Sequence, residues 1–187
     1  MLSCLKYIQY FKYMQFIHEI NIDKPTEKSI IKLRNQSFPD FTIDRSYYKQ
    51  LPHIRCLQFN KSKLVGYMGL DYRDIAVADS PLRVLGVIDF CVDESQRNQG
   101  IGTDMLNELT VFAKSKQVDF IILMADDSRI YLDNGFKHVP NVPSSWLRIH
   151  EYKNLGIAFE HLDELYIKPV SQKHWPEGHV DWLGYMF

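Results

Sequence analysis

The sequence predicts a single mixed α/β (α+β) domain built around one core. Three observations carry this expectation. Short runs rich in Val, Ile, Phe and Tyr alternate with segments of helical periodicity. The 187 residues are 45% hydrophobic and 24% charged, an ordinary globular balance. No repeat, low-complexity tract or long linker divides the chain after Met14.

Met14 begins the first clean pattern, so residues 1–13 are set apart as an N-terminal extension without an assigned role and 14–187 as a single domain. Lys6 and Lys12 break the aromatic opening and no small-residue cleavage site follows, which excludes a signal peptide. Phe16, Ile17, Ile20 and Ile22 then suit a strand over 14–22. Pro25 can open a helix because it needs no N–H there, and Ile30, Ile31, Leu33 and Phe38 continue at helical spacing. A short helix is expected over 46–50. Two apolar runs, 53–59 and 64–70, flank Asn60-Lys61-Ser62-Lys63 and read as a hairpin. Residues 82–92 form the strongest strand signal, and Ile101, Met105, Leu109, Phe112 and Ala113 mark a long amphipathic helix. A buried strand over 118–124, a short helix over 128–134 stopped by Gly135, a Pro-rich connection over 139–145 and strands at 165–170 and 180–187 complete the reading.

With 22 Lys+Arg against 23 Asp+Glu the net charge is -1, and no local basic stripe stands out, so nucleic acid is not the expected partner. No segment reaches the ~18 charge-free apolar residues of a membrane span. Three cysteines, Cys4, Cys56 and Cys91, form no close pair, which argues against a disulfide framework and for a reducing, cytoplasmic setting.

The segment that carries chemistry lies between the strongest strand and the longest helix: Phe90-Cys91-Val92-Asp93-Glu94-Ser95-Gln96-Arg97-Asn98-Gln99-Gly100-Ile101-Gly102-Thr103. Glycines there let backbone approach a ligand, a helix N-terminus offers free N–H groups to a phosphate, and Arg97 adds a cation. Thr103-Asp104 stands where a P-loop needs Lys-Ser or Lys-Thr, and Met105 where a dinucleotide fold needs a third Gly or Ala, so both of those readings fail. What remains, Arg97-x-x-Gly100-x-Gly102 after a strand end, resembles the signature of the GNAT superfamily of acyl-coenzyme A dependent N-acetyltransferases. A second segment, Ile130-Tyr131-Leu132-Asp133-Asn134-Gly135-Phe136, is similar to that family's Phe-Tyr-x-x-x-Gly-Phe helix.

The resemblance implies a mixed, mostly antiparallel sheet with flanking helices, whose fourth and fifth strands splay to admit the pantetheine arm of acetyl-CoA. It implies that the backbone from Arg97 through Asn98, Gln99, Gly100, Ile101 and Gly102 to Thr103 holds the pyrophosphate. The strand Phe90-Cys91-Val92 would then pair with the pantetheine amides. Tyr131 matches the family's proton donor to the coenzyme sulfur. Asp89 is the candidate base for the acceptor amine, with Glu94 and His53 as alternates. The implied reaction is acetyl transfer to a primary amine of a small molecule by direct attack on the thioester. The alternative is a non-catalytic module that binds acyl-CoA or a protein partner. A homodimer is left open. The layout of the tail is loosely similar to aminoglycoside 2'-N-acetyltransferases, and Glu160, Asp163, Glu164, Glu177 and Asp181 suggest a cationic acceptor if they face its cleft.

Several residues also have plainer readings. Cys91 in a strand is expected to be a small hydrophobe rather than an acylated nucleophile. His174, Glu177 and His179 surround Pro176 and Gly178, so they mark a turn, and no metal is expected. The aromatics Tyr47, Tyr48, Trp146, Tyr152, Trp175, Trp182 and Tyr185 are divided between acceptor pocket and core.

Overall fold

The computed structural model describes residues 14–126 and 129–187. The extension assigned to 1–13, Cys4 and the expected helix start at Ser128 lie outside these residues. Within them β1 (Met14–His18) pairs antiparallel with β2 (Ile54–Asn60), from Met14↔Gln58 to His18↔Ile54. The expected strand to Ile22 stops at His18 because β2 offers no partner beyond Ile54, and a 3-10 turn over Glu19–Asn21 follows. Helix α1 (Lys24–Ser37) starts where Asp23 accepts the Thr26 N–H at 2.9 Å. It ends before Pro39, and it buries Ile30, Leu33 and Arg34.

No helix forms over 46–50. Arg45 binds the carbonyls of Tyr47 and Tyr48 at 3.1 and 2.9 Å, groups that a helix would direct at its own N–H donors. The expected hairpin is present, and its second strand is longer than the apolar run suggests. Strand β3 (Lys63–Val77) pairs with β2 along its first half and with β4 (Ser80–Val92) from Gly66 to Val77. Ala78 and Asp79 turn the chain at φ +46° and +64°, the doubly left-handed turn that suits a tight hairpin.

Helix α2 (Ile101–Lys114) then carries the chain back to β5 (Phe120–Met124), which runs parallel to β4. After α3 (Arg129–Asp133) come β6 (Lys137–Val139), β7 (Val142–His150), β8 (Lys153–Leu162), β9 (Leu165–Pro169) and β10 (Val180–Tyr185). The sheet order is β6-β9-β5-β4-β3-β10-β7-β8, with β2 and β1 continuing from the first half of β3. Apart from the parallel pairs β4–β5 and β7–β10, the ladders are antiparallel, which is the mixed, mostly antiparallel sheet expected.

The Pro-rich connection over 139–145 is a correction: it is the end of β6, a turn at Pro140-Asn141 and the start of β7. Pro143 is tolerated because the ladder between β7 and β10 begins only at Ser144↔Val180, so its missing N–H leaves no gap on that side. The β7–β8 hairpin itself is unanticipated. Its outer strand breaks the usual pattern, since Leu155, Ile157 and Phe159 stand exposed.

One apolar cluster fills the space between the sheet and α2, where Met105, Leu109 and Ala113 meet Met68, Leu70, Leu85 and Ile121. A second lies under α1 around Ile30, Leu57 and Tyr67, and a third joins Trp146 and Trp182 to Ile75, Ile122 and Leu165. Among the described residues no helix is long and apolar enough to cross a membrane, and no cluster of His, Cys, Asp and Glu could hold a metal ion.

Asp119 sets the register of β5 against β4. Its Oδ2 accepts the Arg83 N–H at 2.9 Å and the Lys173 ammonium at 2.8 Å, and its Oδ1 accepts the Ser171 hydroxyl at 3.2 Å. Burial alone would raise its pKa, but Lys173, the Arg83 N–H and Ser171 outweigh burial and hold it below the ordinary Asp value. A depressed folded pKa gives stability that is complete above the unfolded pKa and is lost as pH falls through the folded one. Acid unfolding followed by circular dichroism should therefore be less steep below about pH 4 in Asp119→Asn than in the parent.

Candidate active site

The site begins where two central strands part. Strands β4 and β5 pair at Val84↔Phe120, Leu85↔Ile121 and Gly86↔Ile122 and no further. Beyond Gly86 the strand β4 is bent by a bulge: Tyr67↔Cys91 and Gly69↔Ile88 are partners, so Asp89 and Phe90 together oppose the single residue Met68. Asp89 takes φ +51°, a left-handed conformation that an L residue holds only when its surroundings enforce it.

The enforcing group is Arg34. Its Nε donates to Asp89 Oδ2 at 2.7 Å, its Nη1 donates to the Phe41 carbonyl at 2.8 Å, and its side chain is 2% exposed. One guanidinium thus ties α1, the bulge and the segment after α1 together. The guanidinium carbon also lies 5.9 Å from the Phe38 ring centroid and 6.0 Å from that of Tyr48.

Two cavities open along the split. The first, of about 760 Å³, lies against the loop from β4 to α2 and the face of α3. It is lined by Phe90, Cys91, Val92, Arg97, Asn98, Gly100, Ile101, Gly102, Thr103 and Tyr131, which are the residues expected at the coenzyme site with one exception. The exception is Gln99, whose side chain is exposed and turns its Nε2 back to the Ser95 carbonyl at 3.4 Å. Left-handed conformations at Asn98 (φ +60°) and Gly100 (φ +81°) reverse the backbone on either side of it.

The same loop builds an anion cradle. Asp104 N–H makes the first intrahelical bond, to the Gly100 carbonyl at 2.9 Å, so the N–H groups of residues 101–103 precede the helix ladder. A Cβ on Gly102 would come within 2.8 Å of Ile130 Cδ1 and 3.5 Å of Phe90 Cζ, so only glycine keeps this floor open. Arg97 Nε donates to the Val92 carbonyl at 3.1 Å, which holds the guanidinium at the strand end.

The second cavity, of about 530 Å³, lies on the other side of the split. Its wall is aromatic, with Phe38, Phe41, Tyr48, Tyr185 and Phe187, and its charged groups are Lys49, Asp89 and Asp126. Phe38, Phe90 and Tyr131 line both cavities. Tyr131 sits on α3, which is stopped by Gly135 at φ +79°, and its ring lies 5.8 Å from Phe136 and 6.3 Å from Phe90.

Among the base candidates, Asp89 lines the second cavity and the two alternates do not. Glu94 sits on the exposed 3-10 turn after β4, and His53 places Nδ1 2.6 Å from Asp71. Burial pushes the Cys91 thiol up to about 12, so it stays protonated at neutral pH and suits the hydrophobe reading. His179 Nε2 lies 2.8 Å from the Ser145 hydroxyl within the turn region.

The acidic tail is a further correction, since none of Glu160, Asp163, Glu164, Glu177 and Asp181 lines the second cavity. Asp163 instead accepts the Asn141 N–H and Asp181 the Leu183 N–H, each at 2.9 Å. Of the aromatic candidates Tyr48 and Tyr185 reach the cavity, Trp146 and Trp182 are buried in the third cluster, and Tyr47 meets Tyr152 at 3.4 Å. Arg34, Lys49 and Asp126 are cavity or clamp residues that sequence reasoning missed. Only Arg34 carried a signal, as a charge on the apolar face of α1.

The Arg34–Asp89 pair yields a stability prediction. Arg34→Met leaves the Asp89 carboxylate unpaired in a largely buried bulge and should reduce stability by about 3 kcal/mol in urea unfolding. Arg34→Met/Asp89→Gly removes that charge and supplies the residue that favours positive φ, so it should recover at least half of the loss.

A family model described as an acetyltransferase (GNAT) domain matches residues 21–139. Solved structures share the fold. A GNAT family N-acetyltransferase, YhbS, from Escherichia coli in complex with CoA is 14% identical, with a TM-score of 0.59 over 91% of this chain and 90% of that one. Escherichia coli ElaA is 16% identical, with a TM-score of 0.60 over 84% and 99%. A GNAT family acetyltransferase from Brucella melitensis in complex with acetyl-CoA is 10% identical, with a TM-score of 0.56 over 91% and 96%. With its splayed strands, glycine loop and short tyrosine helix, and with a family match across most of its length, the chain belongs to the GNAT acetyltransferase family.

Proposed function

We propose that this protein transfers an acetyl group from acetyl-CoA to the primary amine of a small molecule by direct attack on the thioester. The observation that carries the reading is the meeting of the two cavities at Phe90 and Tyr131. A cosubstrate on one side and an amine on the other can touch only there. The first cavity suits acyl-CoA: the N–H groups of residues 101–103 and Arg97 meet the pyrophosphate, Gly102 leaves it room, and the edge of Phe90-Cys91-Val92 that β5 no longer covers receives the pantetheine amides.

The chemistry then follows from charge. An alkyl ammonium has a pKa near ~10.4 and must lose a proton before it attacks. Asp89, whose Oδ2 holds Arg34, takes that proton at its other oxygen, directly or through water. The amine lone pair forms the C–N bond, the C–S pair passes to sulfur, and Tyr131 protonates the departing thiolate. The second amine proton restores Tyr131, and one proton leaves to solvent overall. A backbone N–H at the bulge stabilises the oxyanion. The alternative, a module that binds acyl-CoA without catalysis, is disfavoured because Tyr131 and the glycine cradle are both intact. The buried thiols of Cys56 and Cys91 suit a cytoplasmic location.

A second copy of the chain is the partner we place at the β8 edge. Antiparallel pairing centred on Ile157 would set Leu155 opposite Phe159 of the other copy and bury the exposed apolar row. Sedimentation should show a dimer that Phe159→Lys converts to a monomer.

Two variants test the transfer reading. Tyr131→Phe should lower turnover at least about tenfold with acetyl-CoA affinity nearly unchanged, as measured by thiol release and calorimetry. Gly102→Val should fold and bind acetyl-CoA much more weakly. Binding of acetyl-CoA with no thiol release from any amine would favour the non-catalytic module.

A further inference from the structure

The charges around the second cavity are nearly all matched. Asp89 pairs with Arg34 at 2.7 Å. Behind the Tyr185–Phe187 wall, Asp71 pairs with Arg73 at 3.2 Å, and the Arg73 guanidinium lies 4.6 and 4.8 Å from the Tyr185 and Phe187 ring centroids. Lys49 is half-buried in the rim and donates to the Met186 carbonyl at 2.8 Å. Burial, and then the nearby Arg73, hold its ammonium below the usual lysine range.

Asp126 is the one cavity carboxylate that faces no cation among the described residues, and it is exposed at the mouth. The cavity therefore offers one unmatched negative charge. A second ammonium on the acceptor would find Lys49 instead of a carboxylate. The rest of the wall is rings: Phe38, Phe41, Tyr48, Tyr185 and Phe187 present apolar faces, and Phe41 and Tyr48 meet edge to face with centroids 6.4 Å apart.

We infer that the acceptor is a monoamine carried on an aromatic or flat apolar body, with its single ammonium drawn in past Asp126 and its body laid against the rings of Phe41, Tyr48, Tyr185 and Phe187. This inference rests on the acetyl-transfer reading and narrows it, and it replaces the polyamine or aminosugar suggested by the acidic tail. Specificity comes from two opposed terms. Ring burial rewards an aromatic body, and Lys49 penalises further positive charge.

Phenethylamine, ethanolamine and spermidine separate these terms in a thiol-release assay, with acetyl-CoA binding measured independently by calorimetry. The expected kcat/KM for phenethylamine exceeds that for both other amines by at least about tenfold, the scale of burying one ring. Phe41 and Tyr48 are 60% and 40% exposed, so Phe41→Ala and Tyr48→Ala should fold. Each should lower the phenethylamine-to-ethanolamine ratio severalfold, chiefly through KM. Lys49→Gln should raise the use of spermidine relative to phenethylamine. Spermidine equal to or better than phenethylamine, or a ratio unmoved by both ring removals, would overturn the inference while leaving acetyl transfer in place. If acetyl-CoA fails to bind, or no amine releases thiol, both fall together.

Discussion

The contact between Arg34 and Asp89 is the constraint on which the rest of the site depends. A parallel strand pair does not part of its own accord, because each further residue of ladder satisfies two more backbone groups. Here the ladder between β4 and β5 ends at Gly86↔Ile122, and three residues later Asp89 is held at φ +51°. The bulge rotates Phe90 and redirects the strand, and a buried guanidinium from α1 makes this arrangement cheaper than a straight strand. The same guanidinium anchors the Phe41 carbonyl, so the aromatic segment that walls the second cavity is referenced to the bulge through one side chain. A shift in α1 would therefore move the strand split and the cavity wall together.

The sheet is organised around the length of β3. Its first half carries β2 and β1, and its last residues carry β10, which in turn carries β7 and β8. This division sends the chain end over the sheet face, where Phe187 lies so close to Gly86 that no side chain would fit there. The closing wall of the second cavity thus comes from residues about a hundred positions away from the bulge it faces. Long-range packing of this kind is what allows one motif, the glycine loop, to serve acceptor cavities of different character.

Much of this was legible in the sequence, and the boundary is physical. The helix opening near Pro25, the hairpin at 60–63, the amphipathic α2 and the position of Arg97-Gly100-Gly102 between β4 and α2 are local patterns, and each is present as read. The bulge was not legible, because 82–92 is an unbroken β-rich run and a positive φ at Asp89 has no local cause. Its cause sits 55 residues away on α1. The outward turn of the Gln99 side chain was not legible either, because it goes with left-handed conformations at Asn98 and Gly100. The β7–β8 hairpin was missed because Pro143 argues against a strand and the apolar residues of β8 face outward. The acidic tail misled for a related reason: composition records that carboxylates are near in sequence, not what they face.

The narrow junction at Phe38, Phe90 and Tyr131 has a chemical consequence. A thioester exposed to water can hydrolyse, and an amine exposed to water stays protonated. Phe38 and Phe90 place apolar rings where the two cavities meet, and in the proposed reaction they would lower the water content around the reacting atoms. Among the described residues Tyr131 is the polar residue that lines both cavities. In the proposed reaction a proton handed to sulfur there would compete less with bulk water, and charge developing on the oxyanion would meet backbone dipoles in a medium of lower dielectric, where each is worth more than in solution. Matched charges around the second cavity serve the same end. In the proposed reaction an excess of carboxylates would hold the acceptor as its ammonium, whereas a near-neutral wall would let it arrive charged at Asp126 and give up its proton at Asp89.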